Sequence, residues 1–416
     1  MQAALVCYYR RDTRNSINAL LAALDCEGLS ARVDVYLERT AEAFERRVSG
    51  AAGRYDAVVA AVSFSSPQLF AVSEMPLLSR PAAGRVLRVA GGPHPTAMPR
   101  HALRMGFDLV VVGEGERTFA DWLAHLVAAG PAAVARGILH GRPGALSYPS
   151  VATAYHACGP VEISRGCPYR CAYCQTPRLF GRDVRHRSVD SVARQVRDMA
   201  ALGLVDFRFV APNAFGYGAA PGRVSPHALE QLLSEAARAA GRGRVFLGSF
   251  PSEVRPDCVT GETLEVLRRY ASNRGITVGM QAGSDRLLTA CRRGHTVRQA
   301  LDAVGLAIEF GYEVAVDVIF GLPDETPEDV TETVEVLRYL VARGARIHAH
   351  TYIPLPGTEY WPRPAAAGSK ALDDALRSLV PAGGVFGQWE AHRSLGTRLL
   401  EALSEYAHDE PAQTNP

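Results

Sequence analysis

The chain has 416 residues, 47% hydrophobic and 21% charged, which is long enough for two or three globular domains at ~150 residues each. No run of about eighteen apolar residues occurs, which argues against a membrane span. Lys+Arg 45 against Asp+Glu 43 leaves a net charge of +2 and no general pull toward nucleic acid. Met1–Cys7 runs straight into an apolar stretch without a basic leader, so the expected location is cytoplasmic and the eight cysteines are expected to be reduced.

From the start, short apolar strands alternate with amphipathic stretches. Strands are predicted at Ala3–Tyr8, Arg32–Tyr36, Ala57–Ser63, Val86–Ala90 and Leu109–Val112, with helical patterns at Ser16–Leu24 and Ala41–Val48. Near-continuous apolar strands separated by helices predict an α/β fold, a Rossmann-like doubly wound parallel sheet over residues 1–128. Ligands bind such sheets beyond the carboxyl ends of the strands. The loops there are "SFSSP" (Ser63–Pro67), "AGGPHPT" (Ala90–Thr96) and "VVGEGERTF" (Val111–Phe119), expected to line one flat crevice. No GxGxxG follows the first strand, which argues against a dinucleotide.

Glycine, proline and serine gather between Gly130 and Ser150, predicting a linker over residues 129–157. A second alternation spans 158–360, with strands at Pro160–Ser164, Val205–Val210, Arg244–Ser249, Ile276–Gln281, Glu313–Ile319 and Arg346–Tyr352. Helices are predicted around Val189–Ala201, Pro226–Ala240, Val259–Tyr270, Val297–Phe310 and Pro327–Ala342. Six βα repeats predict an open sheet or a partial TIM-like (β/α)6 barrel with its reactive groups on the loops after the strands. Residues 361–416 read as a helical cap or tail, with Leu399–Tyr406 helical in pattern.

Just after the first strand of the second half stands "ISRGCPYRCAYC" (Ile163–Cys174). The spacing CxxxCxxC puts Cys167, Cys171 and Cys174 on one loop, with Pro168 disfavouring a helix between them. A structural zinc site wants four ligands, and no fourth cysteine or histidine lies nearby in sequence. A [4Fe–4S] cluster held by three thiolates keeps one iron open for a substrate or cofactor. A zinc knuckle completed by a distant residue, or coincidence, are the alternatives. The other five cysteines, Cys7, Cys26, Cys158, Cys258 and Cys291, read as small core fillers.

"RGCPYRCAYC", with Tyr173 before its last cysteine, resembles the signature of the radical S-adenosylmethionine (SAM) enzymes. "DVIFGLPDET" (Asp317–Thr326), "GMQAGSDRLL" (Gly279–Leu288), "RRGHT" (Arg292–Thr296) and "HTYIPLPGT" (His350–Thr358) resemble further segments of that superfamily. The resemblance implies that SAM chelates the open iron and that one electron cleaves it to a 5′-deoxyadenosyl radical. It also implies SAM contacts from Tyr173, Asn213, Glu253, Arg255, Gln281, Gly321 and Pro354. Glu253 suits ribose hydroxyls and Arg255 a carboxylate, the alternative for both being a solvated ion pair. Gly321 suits a close backbone approach.

The first half resembles the cobalamin-binding domain that precedes the radical SAM domain in one large subclass, and the combined likeness covers residues 1–360. "AHTYIPLPGT" and the overall size look most like a compact group sometimes called the MJ_1487-type family. Cobalamin contacts are then implied at Arg14, Asn15, Ser63, Ser65, Gly91, Gly92, Pro93, His94, Thr96, Gly113 and Glu114. The subclass often carries DxHxxG after its first strand, its histidine ligating cobalt; "RRDTRNS" stands there instead, so Arg10, Arg11, Arg14 or Asn15 would face the cobalt without binding it. His94 is the one nearby histidine, and a turn-stabilising hydrogen bond is its alternative. The resemblance implies a cobalamin-dependent radical SAM enzyme, foremost a methyltransferase. It also implies a small-molecule or peptide substrate and an electron donor such as flavodoxin or ferredoxin. A radical cyclase or rearrangement enzyme, an RNA methylthiotransferase and a non-enzymatic cofactor carrier are the alternatives. Phe386 and Trp389 are expected in the core more than in a pocket.

Overall fold

A computed structural model of the chain describes residues 1–79 and 84–409. Two compact units divide the described residues, one of residues 1–159 with 405–409 and one of residues 160–404.

The first unit is built on six strands: β1 (Ala3–Tyr8), β2 (Val33–Glu38), β3 (Ala57–Ser63), β4 (Val86–Gly91), β5 (Leu109–Val112) and β6 (Gly137–His140). Their order is β2-β1-β3-β4-β5-β6 and every pairing is parallel. β1 and β3 are buried along their whole lengths, as strands covered on both faces must be. Ile17, Leu21 and Leu24 of the helix Arg14–Cys26 pack on the sheet with Phe119, Leu123 and Leu126 of the helix Glu116–Ala129. Chain order reverses between β1 and β3, the switch point at which doubly wound sheets bind ligands. The sixth strand corrects the expected linker and the five-strand count. β6 carries only Ile138 and Leu139 as apolar residues, too short a run to stand out among glycines and prolines, yet all four of its residues pair with β5. Residues 405–409 belong to this unit too: the Tyr406 ring lies 4.9 Å from that of His101.

The second unit opens with β7 (Val161–Glu162) and β8 (Ser164–Arg165), which divide the strand expected over Pro160–Ser164, and β9 (Arg185–His186), antiparallel to β8. Parallel strands follow: β10 (Asp206–Val210), β11 (Arg244–Phe246), β12 (Gly275–Gln281), β13 (Glu313–Phe320), β14 (Arg346–Thr351) and β15 (Val385–Gly387). They form the sheets β11-β10-β7 and β12-β13-β14-β15, joined where Val254 bridges Val278 and where the Thr277 amide donates to the Gly248 carbonyl. Sequential parallel order with a helix after most strands makes this an open (β/α) barrel. β15 extends the barrel sheet from residues expected to be a cap, and the helix Trp389–Leu403 starts ten residues before the predicted one.

Local sequence fixes where the barrel helices begin. Thr260, Thr296 and Thr326 each cap a helix in a reciprocal box with Thr263, Gln299 and Asp329. Asp329, 2% exposed, also accepts from Ser284 Oγ at 2.6 Å and pairs with Arg286, tying the helix Pro327–Ala342 to the loop after β12. Among the described residues no helix is long and apolar enough to cross a membrane.

Candidate cofactor sites

The cysteine loop begins at Gly166, whose φ of 89° is left-handed and whose missing Cβ leaves room for the Asp183 carbonyl. Three backbone bonds then shape it: Cys167 N to Gly181 O at 3.1 Å, Ala172 N to Cys291 O at 2.9 Å, and Cys174 N to Cys171 O at 3.0 Å. Cys171 is buried, and Cys167 and Cys174 are partly accessible. Burial pushes the Cys167 thiol up to about 11, eased by the Tyr169 amide, so a bound metal has to displace its proton. A single tetrahedral zinc would draw its sulfurs to about 3.8 Å apart, given Zn–S bonds of about 2.3 Å. Among the described residues the three thiols are not gathered that closely; the one such group lies elsewhere.

Arg293 is the charged neighbour of this loop. Its side chain is 7% exposed, with Nη1 3.8 Å from Cys171 Sγ, Nη2 donating to the Gly279 carbonyl at 2.7 Å, and Nη2 3.4 Å from Glu253 Oε1. Its Nε is buried with no partner. A buried guanidinium with an unused donor beside Cys171 fits an anionic [4Fe–4S] cluster better than a neutral filler. No site role was expected for "RRGHT", and Arg293 is distinguished from its exposed neighbour Arg292 only by the fold.

Glu253 and Gln281 come together beside Arg293. Gln281 Nε2 donates to Glu253 Oε2 at 3.1 Å. A Cβ on Gly279 would stand 2.6 Å from the Glu253 carboxylate, so this glycine makes room for it. Gln281 adopts φ 76° at a β-bulge between β12 and β13, strained backbone of the kind that gathers at functional sites. Glu253 keeps 27% of its side chain accessible, yet burial raises its carboxyl to about 7, with Arg293 pulling the other way and Asp317 adding to the rise.

Tyr173, Ala282, Leu288, Leu322 and Ile319 share one apolar cluster, which sets the aromatic before the last cysteine against β13. The remaining expected SAM contacts are occupied within the fold. Arg255, 1% exposed, stacks on the Tyr169 ring at 3.5 Å, pairs with Asp257 at 2.9 Å and donates to the carbonyls of Arg293 and Gly294. Its fork braces the cysteine loop, so it is not a solvated ion pair. Asn213 accepts from the Arg255 amide at 3.2 Å and donates to Cys258 Sγ at 3.1 Å. Gly321 has φ 72°, which only glycine takes without strain, but Ala365 and Ala366 lie over it. Pro354 is buried 3.3 Å from where a Cβ of Gly396 would be.

In the first unit the three loops do meet. The His94 amide donates to the Phe64 carbonyl at 3.1 Å and the Gly113 amide to Thr96 Oγ1 at 3.0 Å. Gly92 has φ 95°, and a Cβ there would stand 2.7 Å from Ser63 Oγ. Ser63 Oγ is buried beneath Gly92 without a partner, and Gly113 faces open space, so bare backbone remains at this edge for a flat ligand. Ser65 caps the turn Ser66–Gln68 through Gln68, while Gly91 ends β4 and Glu114 is 7% exposed. Pro93 opens the short helix Pro93–Ala97.

His94 is fully buried, with Nδ1 2.9 Å from Ser66 Oγ and Nε2 3.1 Å from His101 Nδ1. Both nitrogens are engaged, as the turn-bracing alternative expects. Burial, then His101, lowers it to about 3. Arg14 opens its helix half-buried beside an exposed Asn15, and both lie within about 3.5 Å of a Cβ built on Gly159. Arg10 pairs with Asp12 at 3.2 Å, and Arg11 is exposed.

Cys7, Cys258 and Cys291 are core residues as expected, whereas Cys26 is exposed and Cys158 half-buried. Phe386 is half-buried and stacks on His348 at 4.6 Å, and Trp389 is also half-buried, so neither is in the core.

The Radical SAM superfamily model matches residues 161–337 and the B12 binding domain model matches residues 13–123. A tRNA-2-methylthio-N(6)-dimethylallyladenosine synthase of Sulfurihydrogenibium sp. is 30% identical over 224 residues, 53% of this chain and 49% of that protein. The chain thus spans about half the length of the tRNA-modifying relatives it matches. Uncharacterized protein MK0932 of Methanopyrus kandleri is 24% identical over 381 residues, 77% of this chain and 71% of that protein. Among solved structures, the radical S-adenosylmethionine methyltransferase TsrM from Kitasatospora setae, with cobalamin and a [4Fe–4S] cluster bound, matches with TM-score 0.62 and 20% identity, covering 86% of this chain and 77% of its own. The cobalamin-dependent S-adenosylmethionine radical enzyme OxsB matches with TM-score 0.61 and 18% identity, covering 81% and 51%.

Proposed function

From a chain that carries a B12-binding domain followed by a radical SAM domain, we propose a cobalamin-dependent radical SAM enzyme that methylates an unactivated carbon of a small molecule or peptide. The observation that carries this reading is the pairing, in one chain, of a three-thiol loop backed by the buried Arg293 with a doubly wound sheet whose glycine loops meet at its carboxyl edge. When bound, the cluster and SAM supply radical chemistry by one-electron reduction, and cobalamin supplies the methyl group.

Each of the chain's own residues has a part. Cys167, Cys171 and Cys174 hold three irons. Arg293 balances the negative charge of the thiolates and keeps Glu253 in place. Glu253 and Gln281 offer an oxygen and an amide to ribose hydroxyls. Gly91, Gly92, Gly113 and Ser63 present a flat, neutral edge to the corrin ring. Arg14, half-buried at the head of its helix, would not ligate the cobalt of a bound cobalamin, because a guanidinium has no lone pair to give. A reduced flavodoxin or ferredoxin delivers the electron in the cytoplasm.

Methyl transfer draws on the likeness to the methyltransferase TsrM. A second reading, methylthiolation of tRNA, rests on the names of the curated relatives. It fits less well, because Cys7 is buried within β1 and Cys26 is exposed at its helix end, a poor pair for a second cluster. Anaerobic reconstitution with methyl-deuterated SAM separates the outcomes. Methylation gives 5′-deoxyadenosine and a product carrying the label, methylthiolation adds sulfur as well, and cyclisation or rearrangement gives an unlabelled product. Absence of deoxyadenosine from reconstituted protein overturns the radical reading.

A further inference from the structure

Asp317 on β13 and His348 on β14 are direct partners in the parallel register, and His350 stands two residues further along. Side chains two apart share a face of a strand. On β13 the residues Val314, Val316, Val318 and Phe320 are buried, while Ala315, Asp317 and Ile319 alternate with them on a half-accessible face. His348 and His350 continue that face on β14. Ile319 packs in the same apolar cluster as Tyr173, so this face also serves the cysteine loop.

His348 Nδ1 lies 2.8 Å from Asp317 Oδ1 and 3.2 Å from His350 Nε2. The ligand atoms of all three residues lie within 4.8 Å of one another. Hydrogen bonding alone serves this geometry poorly. If His348 Nδ1 carries a proton and gives it to Asp317, the His350 nitrogen faces an N–H that points elsewhere. If His350 Nε2 donates to a bare His348 Nδ1, the Asp317 oxygen faces a lone pair and needs a proton of its own. Either arrangement leaves one of the three ligand atoms without a donor among the three residues, and one cation at the centre satisfies all three. The rings are also held in place: His348 lies parallel to Phe386 at 4.6 Å and 6°, and His350 parallel to His392 at 5.4 Å and 4°.

We propose that Asp317, His348 and His350 bind one divalent first-row transition-metal ion, separate from the cysteine site, whose remaining positions face the accessible side of the β13–β14 sheet. Two imidazoles and one carboxylate on a single face select zinc-class or ferrous ions over magnesium, calcium or cuprous copper. The open positions take water or a lone-pair donor of the substrate. That last step rests on the barrel being the substrate's site, whereas metal binding itself does not.

The test uses full-length protein stripped by chelator, with no cluster, SAM or cobalamin added, titrated anaerobically with Co(II) and then Zn(II). One Co(II) should bind with visible ligand-field bands and be displaced by Zn(II), in wild type and equally in a variant with Cys167, Cys171 and Cys174 all changed to Ala. His350→Ala and the milder Asp317→Asn should each weaken binding by more than about 100-fold, since even outer partners of metal ligands are worth about 10–100-fold. Circular dichroism shows whether each variant is folded, and Asp317→Asn serves if His350→Ala is not. Absence of Co(II) binding to folded wild type, unchanged affinity in the folded variants, or loss of binding with the cysteines would each overturn the proposal. Because no deoxyadenosine is measured, failure here leaves the radical SAM reading standing, and the reverse holds too.

Discussion

Both units are parallel βα structures, but they leave different atoms unsatisfied at their buried edges. Among the described residues of the first unit the orphans are Ser63 Oγ, Thr13 Oγ1, Asn18 Nδ2 and Tyr155 Oη, one of them titratable and none a cation. In the barrel they include Arg293 Nε, His295 Nε2 and Tyr352 Oη, a cation and two titratable groups. Unmet buried groups cost stability and point to what is absent when the chain is alone. Of these orphans only the barrel's include a cation, Arg293.

The largest effect expected from this contrast is confined to one unit. Changing any one of Cys167, Cys171 or Cys174 to Ala should abolish iron loading and deoxyadenosine release, while cobalamin binding, read by absorption of the bound corrin, persists. Loss of both together would break the separation of roles. Next comes Arg293→Met, which strands Glu253 and removes the cation beside Cys171. Removing one partner of a buried pair costs about 3 kcal/mol or more, read as a lowered denaturation midpoint. Adding Glu253→Gln should recover part of it, because the stranded charge is then gone.

A smaller effect is expected at Gly92. Its φ of 95° and the 2.7 Å from a built Cβ to Ser63 Oγ make Gly92→Ala strained, at about 1–3 kcal/mol. Cobalamin affinity should fall, while deoxyadenosine release by the reconstituted barrel remains. Equal loss of both would make the glycine a global support and not an edge for a ligand.

How far these differences could be read beforehand depended on whether the signal was local. The cysteine loop and the apolar strands are local patterns, and the fold follows them. β6 and β15 are four and three residues long and were hidden in a supposed linker and tail. The roles of Arg255 and Arg293 were invisible because burial alone separates a brace from a ligand. Asp317, His348 and His350 are thirty-one and two residues apart and meet only through strand register. The exposed Arg292 and the buried Arg293 are neighbours in sequence, and only tertiary packing tells them apart.

The smallest expected effect, a pH dependence, tests the same contrast through stability. Burial lowers His94 to about 3 and His101 to about 4. Below the ordinary histidine value of about 6.5, the unfolded chain therefore binds more protons than the folded one, and stability falls as pH drops from about 6.5 toward 4. His295 and His350 in the barrel, each lowered to about 4, act in the same direction. The barrel, however, also holds Glu253 and Glu325, both raised to about 7 chiefly by burial. Between about 4.5 and 7 these bind protons in the folded state that the unfolded chain releases, so their contribution grows as pH falls and opposes the histidines. Thermal midpoints of full-length protein across pH 4.5–6.5 should then respond oppositely to two substitutions. His94→Gln should flatten the acid loss, because a proton-excluding group is gone. Glu325→Gln should steepen it, because the counterweight is gone. The slope, and not the absolute midpoint, carries the test, since either change shifts the midpoint by itself; slopes that move the same way would remove the electrostatic difference between the two units.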